Sequence, residues 1–549
     1  MLTNAVFFDL DLAALLMPLR WPLTIGYIVL ISLIGAYGLH RYWLVFLFNR
    51  HRKAVARPSR RFEELPRVTV QLPMYNEGFV ARRIIDAACA LDYPADRLQI
   101  QVLDDSTDNS RQICADRVAH WQAQGVDIEL RHRVDRVGYK AGALAEGMTT
   151  ATGELVAIFD ADFVPPRNFL KRTVHHFADE SVGMVQTRWA HLNRDDSMLT
   201  RGQAIFLDGH FVVEHTARNR SGAWINFNGT AGLWRATAIE EAGGWQHDTL
   251  TEDVDLSYRA QLKGWRFLFL PWVTCPAELP PEINAFKSQQ HRWTKGSIQT
   301  AIKLLPTLFR ADIPFKVKLE AFFHLTSPMV YLYITLFALL FYPAVFVNLQ
   351  PLGNGTWAGV FLGITLFMLG TASATAFYLT SQRAQKRSAW LTLFQVPMLM
   401  SIAIGIALNN ALACIEALVG HDSPFVRTPK YGNSVAVPDV QTPPLAANEA
   451  DDDRAHRPSR RRKNRSESPV IPIPSLKLWI TFVEIAFGLF MLECARLSLA
   501  IENTVVSLPF LILFAMGYLY VGLTSLAVHI RGALASRKQR RRPVQAAPA

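Results

Sequence analysis

The 549-residue chain contains no G-x-G-x-x-G, no G-x-x-x-x-G-K-[S/T], no H-E-x-x-H and no C-x-x-C. The first two absences remove the glycine turns by which dinucleotide folds and P-loops approach phosphate, and the third removes a zincin-type site. The five cysteines are scattered, which excludes a structural zinc knot and agrees with a reducing compartment. Internal repeats are absent. Charged residues make up only 19% of the chain, against 50% hydrophobic. The net charge of +11 sits largely in RPSRRRKNR, in SRKQRRRP and beside apolar runs, where membrane orientation and anionic lipid account for it. Nucleic acid is therefore not an expected partner; membrane lipid is.

What is present begins with apolar runs. They cover Trp21 to Phe48 and the neighbourhoods of 322–348, 356–380, 476–497 and 505–530, each reaching the roughly 20 residues that cross a bilayer as a helix. The first is too long for a signal peptide, and its basic cluster, Arg50 to Arg61, follows rather than precedes it. By the positive-inside rule that cluster is cytosolic, and the mixed-composition region behind it is a cytosolic domain. The run Leu391 to Val419 carries Gln395, Pro397, Asn409, Asn410 and Glu416 and is basic at both flanks, so it is expected to lie in the interface or re-enter. The resulting division is 1–60, a first span with its basic flank; 61–315, the cytosolic domain; 316–385, two spans; 386–432, an interfacial helix and loop; 433–473, a disordered linker; 474–531, two spans; and 532–549, a basic cytosolic tail. This is a multi-pass protein of the plasma or inner membrane.

Within the cytosolic domain, strand-like runs at 67–72, 98–103, 127–132 and 154–160 alternate with helical segments near 79–91, 109–124 and 138–149. Such alternation predicts an α/β fold with a mostly parallel sheet, whose ligands bind beyond the carboxyl ends of the strands. Three of these ends run into polar chemistry: PMYNE at Pro73 to Glu77, DDSTD at Asp104 to Asp108, and DADF at Asp160 to Phe163. Like charges gathered at one edge repel unless a cation or donor groups collect them. Asp160 and Asp162 can present carboxylate oxygens to a hard divalent ion, Mg²⁺ or Mn²⁺, with positions left for phosphate. The histidines do not compete as a metal site: His210 and His215 are five apart, and His175 and His176 read as helical.

Further on, TLTEDVDLSYRAQLKGW (249–265) opens an amphipathic helix with Glu252, Asp253 and Asp255 in its first turn. Helix capping by Thr249 or Thr251, with acids at the positive dipole end, is the ordinary account of such a segment. Val254, Tyr258, Leu262 and Trp265 supply its buried face. SQQHRWTKG (288–296) then places Gln289, Arg292 and Trp293 on a helix; a guanidinium suits a pyrophosphate, and an indole suits the face of a sugar ring.

The order DDS, DAD, TED, QQHRW resembles the processive glycosyltransferases of family 2. FNGTAGLWR (227–235) with ELP and QQHRW is most similar to the cellulose-synthase-like A and C groups and their bacterial relatives. The resemblance implies a GT-A (Rossmann-like) catalytic domain inserted between transmembrane helices. It implies nucleoside-pocket roles for Tyr75, Glu77 and Asp105 with Lys140 nearby, and a diphosphate and metal motif at Asp160 and Asp162. Asp253 is then the general base with Glu252 beside it; Gln289 and Arg292 hold pyrophosphate; Trp293, Asn228, Gly229 and Thr230 meet the acceptor. FVRTPK (425–430), with Thr428 and Lys430, resembles a mobile loop over the donor.

The expected activity is inverting transfer of a hexose from UDP-glucose or GDP-mannose to a growing β-glycan, coupled to translocation. Glu484, inside an apolar run, is expected to line the glycan path, since an ionised carboxylate there needs a polar path or a partner. The alternatives are single-sugar transfer to a lipid and a non-catalytic export or scaffold protein.

Overall fold

A computed structural model describes residues 17–348, 368–421, 432, 478–500 and 507–540. The segments expected as a mobile loop, with Thr428 and Lys430, and as a linker lie outside these residues, as does the first half of the 356–380 run.

Seven strands form one sheet: β1 (Val68–Met74), β2 (Leu98–Asp104), β3 (Ile128–His132), β4 (Leu155–Ile158), β5 (Val182–His191), β6 (Gly232–Arg235) and β7 (Arg266–Ala277), in the order β3-β2-β1-β4-β6-β5-β7. β1 to β4 pair in parallel, as the alternation predicts. β6 runs antiparallel to both of its neighbours, and β7 returns parallel to β5.

β1 is central and buried on both sides. Val68, Val70 and Leu72 fill one layer of core, while Thr69 and Gln71 on the other face bond to the equivalent residues of β2. Thr69 Oγ1 donates to Gln99 Oε1 at 2.8 Å, and Gln71 Nε2 donates to Gln101 Oε1 at 3.0 Å. Buried polar groups at these positions are tolerable because each finds its cross-strand partner. The helix Gly78–Cys89 covers β1 with Val80, Ala81, Ile84, Ile85 and Ala88, one helical face. Each of the larger three contributes roughly 1.5–3 kcal/mol by leaving water.

Around this domain stand apolar helices. Among the described residues three are long and apolar enough to cross a membrane: Arg20–His51, Leu478–Leu499 and Leu508–Leu534. Two further pairs qualify only together, Phe315–Thr326 with Met329–Leu340, bent by 57°, and Ala389–Gly405 with Ala407–Leu418, bent by 44°. The second pair covers the run at 391–419, expected to lie in the interface or re-enter, and it is broken at Ile406. Gly405 sits against Gly517, where a Cβ would come within 2.3 Å of the backbone oxygen, so the first half packs tightly on Leu508–Arg540. The second half instead buries Asn409, Asn410 and Glu416.

Candidate active site

β2, β1 and β4 are adjacent and parallel, so their carboxyl ends share one edge and deliver Asp105, Tyr75, Glu77, Asp160 and Asp162 to one pocket. The turn after β1 is held by Asn76 in the left-handed region (φ 55°), where asparagine is tolerated. Its backbone N–H donates to Ser106 Oγ at 2.8 Å, and its Oδ1 accepts from the Thr107 N–H at 2.9 Å. The DDST turn thereby aims Tyr75 and Glu77. Arg136 lies over the Tyr75 ring, 3.3 Å from its centroid.

The opposite wall is the helix Glu252–Leu262. Its three leading acids divide: Glu252 and Asp253 line the pocket, whereas Asp255 is fully buried outside it. Asp255 pairs with Arg259 at 2.7 Å and Lys303 at 2.9 Å. Threonine capping is not the local rule here. Thr251 occupies the cap position without a side-chain bond to the helix, and its hydroxyl meets Thr300 at 3.2 Å. Val254 N–H donates to Asp253 Oδ1 at 2.9 Å, fixing the carboxylate at the helix start.

Between the walls runs Lys140, brought in after two left-handed residues, Gly138 and Tyr139. Its ammonium donates to Asp160 Oδ1 at 2.5 Å and to the Gly229 carbonyl at 2.8 Å. The helix Ile283–Arg310 closes the pocket with Gln289, Arg292 and Trp293.

Burial, and then the adjacent Glu252, pushes the Asp253 carboxyl up to about 7. Burial likewise raises Glu252, against the pull of Lys140. For Lys140 burial works downward, but Asp160 and Glu252 outweigh it and the ammonium is held above its ordinary value. Burial lowers Arg292, opposed by Glu252 and Asp160. A carboxylate tuned toward neutrality beside fixed cations is suited to accept a proton while negative charge is neutralised a few ångströms away.

Residues 66–296 match the family model described as "Glycosyltransferase like family 2". This region is similar to family 2 glycosyltransferases. Over 250 residues the chain is 45% identical to glucomannan 4-beta-mannosyltransferase 2 of Arabidopsis thaliana, a match covering 45% of this chain. The chain spans about half the length of that relative, 47%. Among solved structures, the mannosyltransferase PcManGT of Pyrobaculum calidifontis, in complex with GDP-Man and Mn²⁺, gives a TM-score of 0.49 at 21% identity, covering 73% of this chain and all (100%) of that one. S. aureus TarS gives 0.32 at 14%, covering 64% of this chain and 54% of that one.

Among the described residues no group of three or more His, Cys, Asp or Glu is placed to hold a metal. Asp160 and Asp162 nevertheless fit a hard divalent cation, because Mg²⁺ and Mn²⁺ bind through one or two carboxylates and complete their shell with substrate phosphates. Both line the same pocket wall, with Lys140 beside Asp160.

Other expected residues are placed differently. Asp105 lines the pocket, but both its oxygens are held by Arg133, at 2.7 and 2.6 Å. Gly229 and Asn228 line the pocket, while Thr230, expected at the acceptor, is fully buried behind it, where its Oγ1 accepts from the Asp160 N–H at 2.8 Å. Asn228 Oδ1 meets His210 Nε2 at 2.9 Å, and His210 and His215, five apart in sequence, face each other at 3.0 Å across a π-helical turn, Gly209–His215. Glu484 is fully buried and bound to Lys287 at 2.7 Å, not open to a glycan path. Among the pocket residues that the sequence reading did not single out are Arg136, Trp189 and His191. Trp189 stands 6.4 Å from Trp293, ring to ring, and could have been sought as the aromatic on the pocket face of β5.

Proposed function

We propose that this chain is an inverting β-glycosyltransferase that extends a polysaccharide from a nucleotide sugar. The observation that supports it most is the meeting of Asp253, Lys140, Asp160, Arg292 and Trp293, drawn from four separate elements, in one pocket. In this reading the acceptor hydroxyl oxygen forms a bond to the anomeric carbon of the donor as its bond to the diphosphate oxygen breaks on the opposite side. The hydroxyl proton goes to Asp253, and the electron pair leaves with the nucleoside diphosphate. Lys140 and Arg292 neutralise the departing diphosphate, and Trp293, with Trp189, offers a face for the acceptor ring. A divalent cation held by Asp160 and Asp162 would act as Lewis acid and template for the diphosphate. Tyr75, Glu77, Arg136 and the Arg133–Asp105 pair form the nucleoside end, and Gln289 assists Arg292.

The name of the Arabidopsis relative favours a mannosyl donor and a β-1,4 linkage, with UDP-glucose as the competing donor. We place the domain on the cytosolic side of a multi-pass membrane protein, its product passing between the apolar helices. The test is incubation of the full chain in membranes with labelled GDP-mannose and UDP-glucose, followed by linkage analysis. Labelled β-linked polymer supports the reading; label confined to lipid favours a glycolipid synthase; the absence of both transfer and donor hydrolysis rejects catalysis.

A further inference from the structure

The helix Ile283–Arg310 has two faces that do different things. Gln289, Arg292 and Trp293 line the pocket. At roughly 3.6 residues per turn, Lys287, His291 and Lys295 form a stripe on the other side. Both lysines on this stripe are buried, and both are met by acids from apolar segments more than a hundred residues away. Lys287 Nζ lies 2.7 Å from Glu484 Oε1 and 2.8 Å from Oε2, with Ser525 Oγ at 3.5 Å. The Lys287 carbonyl accepts from Asn409 Nδ2 at 3.0 Å. Lys295 Nζ lies 3.2 Å from Glu416 Oε2, which His291 Nε2 approaches at 3.5 Å. Three apolar segments, Ala407–Leu418, Leu478–Ala500 and Leu508–Arg540, therefore meet the back of one pocket helix.

Stability does not explain such pairs. Desolvating two charges offsets most of their attraction, and well-packed apolar replacements are often neutral or stabilising. What a buried pair does enforce is register, because a helix that slides or rotates leaves an ammonium and a carboxylate buried alone.

We propose that Lys287–Glu484 and Lys295–Glu416 are a register lock, and that Glu484 and Glu416 are positioning residues which hold Arg292 and Trp293 at the reacting centre from within the apolar helices. The proposal rests on the transferase reading for its kinetic consequence but not for its structural one. A shift of about 1 Å in a substrate-positioning group costs on the order of 10²-fold in rate.

The experiment compares the full-length protein with Lys287→Met/Glu484→Leu and with Glu416→Gln, using the exposed pair residue Glu493→Gln as control. Four quantities are read: thermal midpoint, affinity for GDP or UDP with Mn²⁺, kcat and KM for transfer, and amide hydrogen exchange over residues 288–294. The lock predicts that the double variant keeps its midpoint and its nucleotide affinity, loses ten- to a hundredfold in kcat, and exchanges faster over 288–294, with the control unchanged. Should the double variant not fold, Glu416→Gln carries the same kcat and exchange prediction through Lys295, with a lowered midpoint because the buried ammonium then faces a neutral amide. Wild-type kcat together with wild-type exchange in the folded variants overturns the lock. If the wild-type protein transfers no sugar, the functional reading fails, and the exchange data still decide the lock by themselves.

Discussion

Gly229 lies directly under Asp253: a Cβ at Gly229 would stand 3.2 Å from Asp253 Oδ2 and 3.4 Å from Lys140 Nζ. Its φ of +76° is also in the region that favours glycine. Gly229→Ala should therefore displace the base and the lysine together, lowering kcat at least tenfold while cutting stability by about 1 kcal/mol. Steady-state kinetics and thermal unfolding check both parts, and wild-type kcat in a folded variant would show that the contact is not needed.

Removing the base itself is the sharper test. Asp253→Asn keeps the volume but has no proton affinity, so transfer should fall by roughly 10² to 10⁴ while nucleotide binding persists. Turnover comparable to wild type would assign the proton to another group.

The same carboxyl sets a pH dependence. Because burial and Glu252 raise Asp253 to about 7, the free enzyme holds it largely protonated below that pH and unable to act as base. Transfer kcat/KM should rise with pH through the neutral range and level off above it. A profile already flat from pH 5 upward, measured with saturating Mn²⁺, would contradict the shift.

Two neighbouring acids should separate activity from stability. Asp255→Asn leaves Arg259 and Lys303 facing a neutral group, at a cost of about 3–5 kcal/mol for breaking a buried pair, with residual kcat preserved in the molecules that fold. Asp253→Asn should do the reverse. Equal effects of both substitutions on both quantities would erase the division drawn between them.

Chelation should abolish transfer, Mg²⁺ or Mn²⁺ should restore it, and Asp162→Ala should stay inactive at millimolar-range metal, because only Asp160 would remain as a protein ligand. Full turnover in excess chelator excludes the cation.

Much of this was readable in the sequence because it is local. The runs at 67–72, 98–103, 127–132 and 154–160 became β1 to β4 within a few residues, since period-two patterning and flanking turns act over short distances. Parallel neighbours then dictate that PMYNE, DDS and DAD share an edge. The sequence also marked Glu252 and Asp253 as a pair at a helix start.

Only the tertiary structure decided which acids face the pocket. In the first turn of one helix, Asp253 faces the pocket and Asp255 does not, a choice made by Lys303, which reaches Asp255 from another helix. Thr230, in an expected acceptor motif, turned inward because Asp160 needed a partner for its N–H. Glu484 found Lys287 across 197 positions of sequence. Patterning reports which face of an element is apolar; it carries no information about which distant charge will be buried against which, because that is fixed by packing between elements, where an unpaired ion is too costly to leave.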